Sequence, residues 1–246
     1  MRHQQHCDAL QAEIAGFAAI LDDTDVDTDV PTCPGWSVED LARHLGRVHR
    51  WATQLVSELT PVRIGPTRST DGAADSRWIL DGGSILLETL RRTDPDLPMW
   101  AWGRDQHVRF WSRRQLHETL VHRIDLEMAL GLEPTALPTV VSDAIDEHLD
   151  NLAPAASFSP PIAELRGSAG RIALRDTTTA RRWTITVDPF AEDLGDDDRP
   201  VDAELGSDGL GLLEVLYRRR SIDDIDGALQ GDGALLRFWL DHLVLA

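Results

Sequence analysis

The chain has 246 residues, 42% hydrophobic and 27% charged, a composition of globular proteins long enough for two domains. Its formal net charge of −18, from 42 acidic and 24 basic residues, repels phosphate backbones and anionic lipid, so nucleic acid and membrane surfaces are excluded as expected partners. No apolar run approaches the ~20 residues of a membrane span, and the polar start Met1-Arg2-His3-Gln4-Gln5-His6 lacks a secretory pattern, so a cytoplasmic location is expected.

Leu10, Ile14, Phe17, Ala18 and Leu21 recur at helical spacing and predict a first amphipathic helix over residues 8–21. The acidic stretch Asp22 to Asp29 and the segment Val30-Pro31-Thr32-Cys33-Pro34-Gly35 break regular structure. Cys7 and Cys33 are too few to staple a chain of this size and are expected as reduced thiols. Cys33 reads either as a small buried hydrophobe or as a nucleophile or ligand. Ser37 is a good N-cap with Asp40 at the third helical position, Trp36 and Leu41 have staple spacing, and the helix should run to about Leu59 and stop at Pro61. Residues 62–76 read as a polar loop, Ile79 to Leu90 as a third helix, and Ser112 to Leu130 as a fourth, with Gly131 as its stop. Val140 to Leu152 predicts one more helix.

Pro154, Pro160 and Pro161 then mark a linker, after which the pattern turns strand-like. Glu164 to Gly167, Arg171 to Arg175, Trp183 to Val187 and Asp202 to Leu205 are short alternating or β-branched runs. Ser207 is expected to cap a helix from Asp208 to Tyr217, and Asp232 to Leu243 reads as a final helix. The acidic run Glu192 to Asp198 lacks EF-hand spacing and reads as a solvated loop. The expected division is a helical domain over residues 1–153 and a smaller α+β domain over 154–246.

His44 lies on the apolar stripe of Leu41, Leu45, Val48, Ala52 and Leu55, so it points into the bundle as a core histidine or as a ligand. Glu118 and His122 are four apart and project side by side, either as an exposed pair or as two ligands for one ion, with Asp125 placed to orient His122. Trp111, Leu126 and Ala129 flank that polar stripe, which an exposed face would rarely show. Two histidines and a carboxylate are a recurrent ligand set of catalytic zinc. His117 and His122 are five apart, so an HExxH protease site is excluded, and no G-x-S-x-G elbow, Walker A loop or Rossmann fingerprint is present.

The segments Cys33-Pro34-Gly35-Trp36-Ser37-Val38-Glu39-Asp40-Leu41-Ala42-Arg43-His44-Leu45 and Glu118-Thr119-Leu120-Val121-His122-Arg123-Ile124-Asp125 resemble the signatures of the mycothiol-dependent maleylpyruvate isomerase family, within the DinB-like metalloenzyme superfamily. Gly227-Ala228-Leu229-Gln230-Gly231-Asp232 is similar to the end of that family's small domain, which is related to sterol carrier proteins. The resemblance implies a four-helix bundle holding a divalent metal, zinc first, on His44, Glu118 and His122, with a small α+β domain behind it. It also implies mycothiol as a thiol cosubstrate that adds to the cis double bond of maleylpyruvate and leaves after rotation. Of the run Arg218-Arg219-Arg220, Arg219 matches the family's catalytic arginine best, whereas Tyr217-Arg218 stand where the family more often has tryptophan and glycine. Complementing the dipole of the preceding helix is the other reading of that run; Arg77 and Arg104 are weaker substrate candidates. Two other functions fit the same residues: a metal-dependent hydrolase using activated water, and a non-catalytic ligand-binding or regulatory protein.

Overall fold

The computed structural model describes residues 1–59, 74–191 and 200–244. Most of the expected 62–76 loop, the helix stop at Pro61 and the acidic run Glu192 to Asp198 lie outside them. The chain forms two compact units, Met1–Thr135 and Ala136–Ala246. No helix among the described residues is long and apolar enough to cross a membrane.

The first unit is a four-helix bundle of α1 (His3–Asp22), α2 (Val38–Glu58), α3 (Ser76–Arg92) and α4 (Val108–Ala129). The main packing contacts follow the ring α1–α4–α2–α3, and α3 also touches α4 across it. Helix α2 begins as its sequence dictates: Ser37 Oγ accepts from the Asp40 amide and Asp40 returns a bond to the Ser37 amide, a reciprocal cap. Asp75 caps α3 by accepting from the Trp78 amide at 2.8 Å. Gly46 lets α2 and α3 approach, because a Cβ there would lie 2.0 Å from the Trp78 ring. Helix α4 is buried around most of its circumference, which accounts for apolar residues on more than one of its sides. It starts at Val108, earlier than Ser112, because the bridge between Pro98 and His107 ends the preceding loop there.

The second unit opens with α5 (Pro138–Asp150), which packs on α8 (Gly209–Leu216) and so belongs to this unit and not to the bundle. Two short helices follow, α6 (Leu152–Ala155) and α7 (Pro160–Glu164). The sheet comprises β1 (Arg171–Asp176), β2 (Arg182–Thr186), β3 (Ala203–Ser207) and β4 (Ala228–Gly231), in the order β2-β1-β3-β4. β1 pairs antiparallel with β2 and parallel with β3, and β3 pairs antiparallel with β4. Leu174 faces both Trp183 and Leu205 across the ladder, and all three are buried. Helix α9 (Gly233–His242) closes the chain, capped by Asp232.

Two expectations need correction, and one strand was not expected. Glu164 to Gly167 is the end of α7 and a turn, not a strand: Pro160 and Pro161 start a helix, and Gly167 at φ 77° ends the turn that follows. Asp208, not Ser207, caps α8, accepting from the Gly211 amide at 2.7 Å. The fourth strand, Ala228–Gly231, is exposed at every position, so it carried no alternation to read.

Candidate metal centre

Helices α2 and α4 lie side by side, and their contact brings three ligand-capable groups together. His44 Nε2 stands 3.1 Å from Glu118 Oε1, and His122 Nε2 stands 3.3 Å from the same oxygen. The two imidazoles meet edge to face with centroids 4.9 Å apart. Donors around a tetrahedral ion with bonds of 2.0–2.1 Å are separated by about 3.3 Å. The observed spacings accommodate such an ion with little movement. His44 and Glu118 keep partial side-chain exposure, 36% and 24%, whereas His122 keeps 10%, so the cluster is walled on the α4 side and more open toward His44.

Surrounding groups fix each member. His122 Nδ1 donates to Asp125 Oδ2 at 2.9 Å, one turn along α4, and Asp125 is fully buried. Arg114, one turn before Glu118, donates from Nη2 to Oε2 at 3.2 Å, which leaves Oε1 directed at the histidines. The Trp36 ring lies 5.0 Å from that of His44. Cys33, half-buried and in no disulfide with Cys7, donates from Sγ to Asp125 Oδ2 at 3.6 Å. The Cys33, His122 and Asp125 donor atoms also lie within 4.8 Å of one another, but His122 Nδ1 is already engaged by Asp125.

The electrostatics follow from this packing. Burial opposes charge on His122, yet hydrogen bonds with Asp125, Cys33 and Glu118 outweigh it and hold its pKa well above the ordinary imidazole value. Burial likewise opposes ionisation of Glu118, but bonds from His122 and His44 hold it well below the usual carboxylate range. Both directions favour an imidazolium beside a carboxylate, so a cation placed between them would have to displace the Nε2 proton. Deeper in the bundle, His49 Nε2 lies 2.9 Å from Thr119 Oγ1. That hydroxyl donates to the Gln115 carbonyl at 2.7 Å, so toward His49 it accepts, and the imidazole carries its proton on Nε2. Burial pushes its pKa down to about 3.

Residues 7–127 match the family model described as the mycothiol maleylpyruvate isomerase N-terminal domain. The first unit belongs to the mycothiol maleylpyruvate isomerase N-terminal domain family. The matched span contains α2 and α4, and thus His44, Glu118 and His122. Two solved structures share the isomerase fold across both units. One, a crystal structure of a histidine-to-alanine mutant of the mycothiol-dependent maleylpyruvate isomerase, has a TM-score of 0.63 at 14% identity and covers 93% of each chain. The other, of the mycothiol-dependent maleylpyruvate isomerase, has a TM-score of 0.56 at 14% identity with the same coverage. No curated protein matches the chain.

In the second unit, the arginine run follows α8. Arg218 has φ 59°, the left-handed region that favours glycine. Arg219 donates its backbone amide to the Glu214 carbonyl at 2.7 Å, and its Nη1 to the Tyr217 carbonyl at 2.9 Å. Arg220 pairs with the buried Glu214 at 3.1 Å. Of the weaker candidates, Arg77 reaches outward from α3 with 88% of its side chain accessible. Arg104 is exposed in the loop before α4. The structure brings His44, Glu118 and His122 together, with Asp125 beside His122; the contacts that Arg114, Trp36 and Cys33 make with them had not been read from the sequence. Arg114 alone left a signal, its place four residues before Glu118.

Proposed function

We propose that His44, Glu118 and His122 hold a divalent metal, zinc by donor set, and that the chain is a mycothiol-dependent isomerase or S-transferase acting on a small electrophile such as maleylpyruvate. The observation that carries this reading is the convergence of two Nε2 atoms on one Glu118 oxygen, at 3.1 and 3.3 Å, in a chain of this family. Two histidines and a carboxylate leave a fourth position for a small molecule. When bound, the cation supplies a Lewis-acid centre that favours the anionic form of a thiol at neutral pH.

The protein's own groups prepare that centre. Asp125 keeps a proton on Nδ1 of His122 and thereby presents the Nε2 lone pair to the ion. Arg114 engages Oε2 of Glu118 and reserves Oε1 for the same purpose. Arg219 is the proposed carboxylate-binding residue, because a guanidinium matches a substrate carboxylate through paired donors and supplies local positive charge in an acidic chain.

The test is metal analysis of the purified chain, followed by maleylpyruvate isomerisation with and without mycothiol and with a chelator. The reading expects one metal per chain and turnover that needs both metal and thiol. Arg219→Ala should lower kcat/KM by roughly 10- to 100-fold with metal content unchanged. Thiol-independent hydrolysis would move the assignment to a metal-dependent hydrolase, and a chain that binds no metal would overturn it.

A further inference from the structure

The turn between α1 and α2 delivers two side chains to the candidate metal centre. The Val30 amide donates to the Trp36 carbonyl at 2.9 Å, the Cys33 amide to the Val30 carbonyl at 2.9 Å, and the Trp36 amide to the Cys33 carbonyl at 3.0 Å. Gly35 closes the turn with φ 83°. With the backbone held this way, the Trp36 ring rests against His44 and Cys33 Sγ reaches Asp125.

The Cys33 thiol ends on Asp125 Oδ2, the oxygen that also accepts the Nδ1 proton of His122. Asp125 is fully buried, and a carboxylate without water depends on protein donors for both its charge and its orientation. A second donor on the same oxygen resists rotation of the carboxylate, and so fixes the direction in which it holds the imidazole. Cys33 Sγ is not among the atoms that converge on Glu118 Oε1; it reaches the centre from behind, through Asp125 and the side of the His122 ring that Asp125 holds.

The geometry points to Cys33 as a positioning residue: through Asp125 it aims His122 Nε2 at His44 and Glu118, and thereby sets the affinity of the centre for its metal. This rests on the metal reading above. The relevant chemistry is that of an S–H donor, with no requirement for thiolate or for redox change. A serine should therefore replace it, whereas an apolar side chain of similar volume should not.

The experiment titrates the full-length chain, freed of metal, with cobalt(II) against a competing chelator, in wild type, Cys33→Ser and Cys33→Val. Cys33→Ser should bind cobalt within about threefold of wild type, and Cys33→Val about tenfold more weakly, the scale seen when outer-shell partners are lost. The visible spectrum of bound cobalt should change in Cys33→Val and not in Cys33→Ser. Thermal unfolding of the metal-free variants separates packing from positioning, and Cys33→Ala makes the same comparison should valine not fold. Equal affinity of Cys33→Val and wild type would overturn the inference, as would equal losses in Cys33→Ser and Cys33→Val. A wild-type chain that takes up no cobalt would instead bring down the metal reading itself.

Discussion

His122 donates from Nδ1 to Asp125 Oδ2 across 2.9 Å, one helical turn along α4, and this bond decides which face of the imidazole looks toward His44 and Glu118. Because Asp125 is fully buried, its removal takes away the carboxylate that His122 Nδ1 donates to. Asp125→Asn should weaken metal affinity about tenfold and Asp125→Ala up to about 100-fold, with Glu118 and both histidines still in place. Chelator competition on the purified variants measures this directly. Wild-type affinity in Asp125→Ala would show that the bond has no influence on the centre.

His49 predicts how the bundle responds to acid. Its folded-state pKa of about 3 lies below the ordinary 6.5, so the unfolded chain takes up a proton that the folded chain refuses. The stability held by keeping His49 neutral is complete above pH 6.5, falls as pH drops from there toward 3, and amounts to at most about 5 kcal/mol. In His49→Gln, where that position no longer titrates, the unfolding midpoint should decline less steeply between pH 6.5 and 4 than in wild type. Parallel declines in the two proteins would contradict the account.

Arg218 holds a left-handed backbone at φ 59°, at a cost of about 1–2 kcal/mol for a residue with a Cβ. Glycine removes that cost and gives back part of it through the unfolded chain's greater freedom. Arg218→Gly should therefore stabilise the second unit by about 0.5–1 kcal/mol, read as a higher denaturation midpoint. A lower midpoint would mean that the Arg218 side chain contributes more than its backbone costs.

Much of this was legible before the coordinates, for identifiable reasons. Ser37 and Asp40 announced α2 because a reciprocal cap is a local device, complete within four residues. Apolar residues on several sides of α4 announced its burial against three other helices. Glu118 and His122 could be paired because a single helix fixes their spacing. The edge strand β4 was invisible because no residue on it is buried, and the turn after α7 was mistaken for a strand because Leu165 between charged neighbours imitates alternation. Cys33 lies 92 residues from Asp125 in sequence, and their contact exists only once the turn before α2 has packed against α4. No local pattern encodes that meeting.

The central claim is that two helices present His44, Glu118 and His122 to one cation, and the most direct measurement is the metal stoichiometry of purified wild type beside His122→Ala. The account predicts one tightly held divalent ion per wild-type chain and none in His122→Ala, with the helical circular-dichroism signal of the two proteins nearly unchanged. Full metal content in His122→Ala, or none in wild type, would contradict it.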